Sequence, residues 1–414
     1  MKKNNRISRE TKKLHVGYVP KRSEYELRVP LFLSSTNIFP NAQYGKAAFR
    51  AVLDGDHEHH LIYQRLNHPN AQILEDTAVE IEPGGYKAAA FLTGMAAIHT
   101  TVAALLQPGK ILLYSNTVYG GTYCLFEQYY AKQGFKVIPV DTTDLRATEK
   151  AIKMAGQDLG IFFMESPANP NMRFSNMRVI AEMVKRWSSA VMVVDNTFMG
   201  IFQNPFKISP HIDLVIYSAT KFLGGHSSLT GGLVIARWNK GYLIKAIKGL
   251  RIVFGNIIDP FSAYQLNNQM ATYDLRMRAL AENATKIAAY LQQHPKVKEV
   301  RHPSLLKSGD VDYPIYTEQC SGPGSVISFY LSKRGQETAF KFLNATTKSG
   351  IISLAVSLGC VETLITHPKT TTHSEMSLKD QLASGITDEL NRVSIGLESV
   401  GDLIQAFEAG FKAI

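Results

Sequence analysis

Between about residues 66 and 258, short unbroken apolar runs alternate with stretches of helical period. The runs are Ala88–Leu92, Ile111–Tyr114, Lys136–Val140, Ile161–Met164, Val191–Val194 and Leu214–Tyr217. Stretches such as Met177–Trp187 lie between them and read as helices. Strands that are apolar throughout, separated by helices, predict a mainly parallel sheet covered on both faces. After residue 258 the pattern changes. A long helical stretch is predicted from Tyr264 to about Gln293, then a strand at Ser325–Tyr330 and a last helix from about Gly401 to the end. That order predicts a smaller α+β domain over 259–414. Residues 1–65 hold little periodicity. Their one apolar stretch, Val29–Leu33, runs into Ser34-Ser35-Thr36 and predicts an arm that packs on something else.

Composition narrows the function classes. The chain has 414 residues, 45% hydrophobic and 19% charged, a globular balance with ample core material. Its formal charge is +10, but the basic residues are scattered except at Met1–Lys13. That run reads as a solvated tail, and no specific nucleic-acid partner is expected from net charge alone. Three cysteines, Cys124, Cys320 and Cys360, form no close-spaced pair, which predicts a reducing compartment and a cytoplasmic protein. No apolar h-region follows the basic start, and no run is long enough to span a membrane. His57-Glu58-His59-His60, with Asp54 and Asp56, reads as a solvated loop, and no metal is expected.

The candidate chemistry lies where strands end. Lys221 follows the run Leu214–Tyr217 in Ser218-Ala219-Thr220-Lys221-Phe222-Leu223-Gly224-Gly225. An amine on a loop beside hydroxyls suits a pyridoxal phosphate enzyme: the amine condenses with the cofactor aldehyde and the hydroxyls bond its phosphate. A surface lysine after a strand is the plainer reading of that motif alone. Asp195 ends another predicted strand, at the sheet edge where ligands of open α/β folds bind. A carboxylate there would keep a pyridine nitrogen protonated; alone it reads as a helix cap. Thr93-Gly94-Met95 opens a helix, and its free N–H groups suit an anion. Tyr119, before Gly120-Gly121, could stack on the cofactor ring or be a core residue. Asn169 lies in the rigid turn Glu165-Ser166-Pro167-Ala168-Asn169-Pro170 and could bond the ring hydroxyl, whereas Glu165 reads as turn chemistry only.

Taken in order, these segments resemble the Cys/Met-metabolism family of pyridoxal phosphate enzymes. The resemblance runs from about Val16 to the C-terminus. It also rests on Tyr63-Gln64-Arg65, Ser357-Leu358-Gly359 and Arg392–Glu398. It implies the aspartate-aminotransferase-like fold (fold type I), with a mainly parallel seven-stranded sheet in a cofactor domain over 66–258. At matching positions it implies that Lys221 holds the cofactor and moves protons. Asp195 would pair with the ring nitrogen, Tyr119 would stack on the ring, and Gly94, Met95, Ser218 and Thr220 would bind the phosphate. Tyr63 and Arg65 would reach the phosphate of a neighbouring subunit, so the 1–65 arm would touch that subunit in a homotetramer built from active dimers. Arg392 would clamp the carboxylate of a sulfur amino acid, with Ser357 and Asn169 positioning it.

The chain departs from the family pattern in places. His68 stands before Pro69 where asparagine is usual, Ser227-Ser228 replaces an acidic position, and Thr93 replaces serine. Methionine γ-lyases usually carry cysteine where Gly121 stands, and some cystathionine γ-lyases carry an acid where Val356 stands. The resemblance implies a carbon–sulfur lyase acting on cystathionine or a related thioether, with γ-replacement by a cystathionine γ-synthase or O-acylhomoserine sulfhydrylase as the alternative.

Overall fold

A computed structural model describes residues 7–54 and 60–414. Its larger sheet contains β1 (Gly85–Phe91), β2 (Ile111–Ser115), β3 (Lys136–Val140), β4 (Leu159–Glu165), β5 (Val191–Asp195), β6 (Leu214–Ser218) and β7 (Gly232–Arg237). They lie in the order β1-β7-β6-β5-β4-β2-β3. β7 runs antiparallel to both β1 and β6; every other pairing is parallel. Side chains alternate between two apolar layers. Phe162, Met164, Met192, Val194 and Val215 enter one core, and Ile161, Phe163, Val193 and Ile216 enter the other. This is the both-faces burial that unbroken apolar strands require.

β7 does not appear among the strands read from the sequence. Its run Leu233-Val234-Ile235-Ala236 is wholly buried, but it lies in the shadow of the Gly-rich, hydroxyl-rich segment before it. The long helix expected from Tyr264 to Gln293 is two helices, Pro260–Met270 and Tyr273–Gln293. The carbonyl of Gln269 accepts from the Arg276 guanidinium at 3.0 Å, and the same guanidinium bonds the carbonyls of Phe222 (2.7 Å) and Leu223 (3.0 Å). The break therefore holds the segment just after Lys221.

The second sheet contains β8 (Val297–Arg301), β9 (Val326–Leu331), β10 (Ser353–Leu354), β11 (Leu364–Thr366) and β12 (Leu390–Ser394), in the order β10-β11-β12-β9-β8. It packs on helices Tyr273–Gln293, Gln336–Thr346 and Val400–Lys412 through Ile287, Phe329, Phe342 and Phe407.

The basic start differs from a solvated tail from Arg9 onward; Met1–Arg6 lie outside the described residues. Arg9–His15 is a helix whose first turn is capped by Ser8. Lys13 is buried, its ammonium paired with Asp274, and Arg9 donates to the Ile81 carbonyl at 2.7 Å. The carboxylate partner is what lets a lysine of that run leave water. Of the His-rich loop, residues 55–59 lie outside the described residues. Among the described residues no His, Cys, Asp and Glu group suits a metal, and no helix is long and apolar enough to cross a membrane.

One buried ion cluster seats the helices next to β1. Glu75 on helix Pro69–Val79 meets Lys248 at 2.7 Å and Arg251 at 2.6 Å, both on helix Gly241–Phe254, and accepts the Ala90 N–H at 2.9 Å. Burial alone would raise the Glu75 pKa, but the two cations hold it down to about 2. Its stabilisation is thus complete above its ordinary value of 4.5 and is lost as the pH falls through about 2. Glu75→Gln is expected to lower unfolding stability at pH 7 by about 3 kcal/mol, because two buried cations lose their partner. Urea unfolding at successive pH values checks this, and the deficit should shrink from about pH 4.5 downward.

Candidate active site

β1, β2, β4, β5 and β6 all point their C-terminal ends to one edge of the sheet. That alignment brings together residues far apart in sequence: the turn after β1 carries Thr93 and Gly94, the loop after β2 carries Tyr119, and β4, β5 and β6 end in Glu165, Asp195 and Ser218. Segments from the smaller sheet close over this edge. Arg392 lies on β12, and Ser357 follows β10.

Lys221 donates to the Ser357 hydroxyl at 2.8 Å. The carbonyl of the same serine accepts from Arg392 Nη2 at 2.8 Å, and Arg392 Nη1 donates to Asn169 Oδ1 at 3.1 Å. Ser357 holds a φ of +96°, a conformation unfavourable for a residue with a side chain, so its backbone strain is spent on facing both cations. Burial, followed by the nearby Arg392 charge, lowers the Lys221 pKa to about 8. The Arg392 side chain is itself buried, which lowers its pKa to about 10. Its Nε is buried without a partner. A guanidinium held this way is an incomplete ion pair, suited to an incoming carboxylate.

Ser218, Thr220, Gly94 and Met95 form the edge next to Lys221. A Cβ on Gly94 would lie 2.8 Å from the Ser218 Cβ and 3.0 Å from its Oγ, so the helix start approaches Ser218 only because residue 94 is glycine. The Thr93 hydroxyl caps the Ala96 N–H at 3.0 Å, doing the work of the usual serine. The N–H groups of Gly94 and Met95, in the first turn, face the open end of that helix. Thr220 differs from the expected phosphate ligand: its hydroxyl already donates to the Gly231 carbonyl (3.3 Å) and accepts the Gly231 N–H (3.0 Å). Ser218 Oγ makes no hydrogen bond among the described residues. Pyridoxal phosphate fits this donor set: an amine below its ordinary pKa, a helix start for the phosphate and a carboxylate, Asp195, one strand away.

Asp195 and Glu165 stand opposite each other in the β4–β5 register, side chains on the same face. Burial raises the Asp195 pKa, offset by Thr197, whose N–H donates to Asp195 Oδ1 at 2.9 Å. A cationic ring nitrogen beside Asp195 would favour its charged form. Glu165 is raised well above the ordinary range by burial and then by the Asp195 charge. Its Oε1 accepts the Tyr119 N–H at 2.9 Å, a bond that the turn reading did not contain. The Tyr119 ring lies against Gly121: a Cβ at residue 121 would sit 2.7 Å from the ring and 3.2 Å from the Met95 sulfur.

Tyr63 and Arg65 are not joined to this group by any hydrogen bond or ring contact among the described residues. Arg65 donates to the Ile252 carbonyl at 3.0 Å and lies over the Tyr63 ring. Sequence reasoning missed two contributors. Thr197 ties the carboxylate end to the phosphate end, since its hydroxyl accepts the Ser218 N–H at 2.7 Å. Thr372 presses its carbonyl on the loop of Tyr119, 2.5 Å from where a Gly120 Cβ would stand. A hydroxyl two places after Asp195 was a visible signal for the first; nothing in the pattern announces the second.

The sequence profile of the Cys/Met metabolism PLP-dependent enzymes matches residues 10–412. An L-methionine gamma-lyase of Fusobacterium nucleatum is 34% identical over 98% of this chain and 98% of its own. A cystathionine gamma-lyase of Bacillus subtilis is 31% identical over 96% of this chain and 98% of its own. The crystal structure of a cystathionine gamma synthase from Xanthomonas oryzae, with aminoacrylate and cysteine, superposes with a TM-score of 0.88 at 31% identity, covering 99% of both chains.

Reductive trapping tests the Lys221 environment. Borohydride treatment with pyridoxal phosphate is expected to label the peptide containing Lys221, with a yield that rises through about pH 8 rather than at the ordinary lysine value of 10.5. Arg392→Leu should move that midpoint upward, since a neighbouring positive charge is removed; peptide mapping across a pH series reads both.

Proposed function

Because the chain belongs to the Cys/Met-metabolism family of pyridoxal phosphate-dependent enzymes, we propose that it is a carbon–sulfur lyase. It would eliminate a thiol from methionine, cystathionine or a related thioether amino acid, giving a 2-oxoacid and ammonia. The observation that carries this reading is the run Lys221–Ser357–Arg392–Asn169, which sets a base and a carboxylate clamp on one residue. Bound pyridoxal phosphate supplies an aldehyde that captures the amino group and a protonated ring that draws electron density from the substrate α-carbon.

The chain's own groups do the rest. Arg392 takes the substrate carboxylate through its unpartnered side, and Asn169 and the Ser357 carbonyl keep its plane fixed. Lys221, partly neutral near pH 8, takes the α-proton and, for γ-elimination, a proton from the β-carbon as well. Ser357 Oγ orients the Lys221 amine. Tyr119 holds the ring face and can pass its phenolic proton to the departing sulfur. Ser218, Met95 and Gly94 hold the phosphate, with Thr220 behind them.

Within the class, the sulfur substituent meets a mixed wall. Val356, next to Ser357, is exposed and apolar, and it borders the 690 Å³ cavity that also holds Ser357 and Thr220. Glu362 lines the same cavity and is a carboxylate able to receive the far ammonium of cystathionine. γ-Replacement, as in a cystathionine γ-synthase or an O-acylhomoserine sulfhydrylase, is the second reading. It draws on the Xanthomonas likeness.

The subunit arrangement is part of the proposal. Tyr63 and Arg65 act on a neighbouring subunit's phosphate in a tetramer of two active dimers, the 1–65 arm lies against that neighbour, and residues 66–258 and 259–414 form the cofactor and α+β domains. Leu27, Leu33 and Ile38, all strongly exposed on the arm, support a covered surface there. Free Cys124, Cys320 and Cys360 suit a reducing cytoplasm.

A substrate panel tests the reaction. Methionine, cystathionine, homocysteine and cysteine are each supplied alone, with 2-oxoacid and ammonia quantified; release of both from a thioether substrate alone is expected. Turnover only when an acylhomoserine and a thiol are both supplied would establish the second reading instead. A mixing experiment tests the shared site. Lys221→Ala and Arg65→Ala chains are each expected to be nearly inactive, and co-refolded mixtures to regain about a quarter of wild-type activity through hybrid sites. No recovery would place Arg65 outside the neighbour's site.

A further inference from the structure

We propose that Glu165 is a positioning residue: by accepting the Tyr119 N–H, its carboxyl fixes the Tyr119 ring over the place where the cofactor ring meets Asp195. This rests on the reading of Tyr119 and Asp195 as cofactor partners. Three observations lead to it. Glu165 is 9% exposed, yet its Oε1 is not turned back into its own turn but reaches across to the loop after β2. Its own N–H donates to the Ser115 hydroxyl at 3.3 Å, so the loop 115–119 is tied to Glu165 at both ends. Tyr119 opens the short helix Gly120–Tyr123 without any side-chain cap, so its backbone N–H bond to Glu165 is what anchors that residue to the sheet edge.

The acid is also suited to its neighbour. Two carboxylates facing each other across β4 and β5 resist holding two negative charges. Burial and then the Asp195 charge raise the Glu165 pKa, and burial raises that of Asp195. A single proton held on Glu165 makes it a neutral acceptor for Tyr119 and leaves the one charge on Asp195 for the ring nitrogen. Tyr119 is 43% exposed, so its side chain has few other restraints: Gly121 lies against its ring and the Thr372 carbonyl presses on the loop. Loss of the Glu165 acceptor would leave a buried N–H unpaired and let the ring drift.

The test is cofactor reconstitution of the full chain stripped of pyridoxal phosphate, read as dissociation constant and as circular dichroism of the bound chromophore. Glu165→Leu is expected to weaken binding about tenfold and to diminish the visible dichroic band. Glu165→Gln, which keeps a neutral oxygen acceptor, should stay within about threefold. In a Tyr119→Ala background, Glu165→Leu should add less than about twofold, because its effect passes through that ring. The proposal is overturned if the Gln variant loses as much as the Leu variant, or if the Leu loss persists undiminished without the Tyr119 ring. Should the Leu chain fail to fold, a tenfold loss in the Gln chain still overturns it and a preserved dichroic band supports it. A wild-type chain that takes up no pyridoxal phosphate overturns the site reading and the Glu165 role together, whereas normal uptake with additive losses sinks the Glu165 role alone.

Discussion

Two cations, the half-buried Lys221 and the buried Arg392, share one residue, Ser357, and everything else at the site accommodates that fact. Like charges in a low-dielectric pocket repel, and burial penalises each of them. Lys221 yields, with its pKa lowered to about 8, while Arg392 stays charged and keeps an unpaired Nε. The same arrangement makes the site a receptor for anions, and the proposed amino acid carboxylate would complete the guanidinium's bonding. The strained φ of Ser357 belongs to the same trade: local stability is given up so that one backbone position can hold a base and a clamp together.

The two sheets are needed for this. The larger one brings the strand ends carrying Glu165, Asp195 and Ser218 to one edge, and its parallel order makes that unavoidable. The smaller one delivers Arg392 from the middle of its five strands, where β12 is hydrogen-bonded on both sides. Arg276, at the start of helix Tyr273–Gln293, connects the two by bonding the carbonyls of Phe222 and Leu223, immediately after Lys221. The kink between the helices is thus part of the lysine's support.

What the sequence disclosed follows the same physics. Buried strands wear their burial as unbroken apolar runs, so β2 to β6 were legible nearly to their ends, and helix Met177–Trp187 was legible to the residue. Lys221, Asp195 and Gly94 were legible as candidates because each sits where a strand or helix ends. β7 carries the same signal in the unbroken apolar run Leu233–Ala236; what that run does not disclose is its antiparallel direction between β1 and β6. The break before Tyr273 was not legible, because it depends on a guanidinium reaching carbonyls some fifty residues away in sequence (Arg276 to Phe222). Lys13 was misread as solvated because its partner, Asp274, is brought to it only by the fold. The roles proposed for Tyr63 and Arg65, which would require a second chain, rest on the motif alone.

Substrate choice depends on positions that the cofactor motifs do not govern. Gly121 allows the Tyr119 ring to rest where a larger residue would displace it by contact at 2.7 Å. Val356 offers an apolar wall where an acid would hold a distant ammonium. Val356 lies on a loop and Gly121 in the short helix Gly120–Tyr123, both outside the bonds that join Lys221, Ser357 and Arg392, so either can differ without disturbing those three. Relatives about a third identical carry lyase and synthase names on one fold, as expected when function is set by local sites on a shared scaffold.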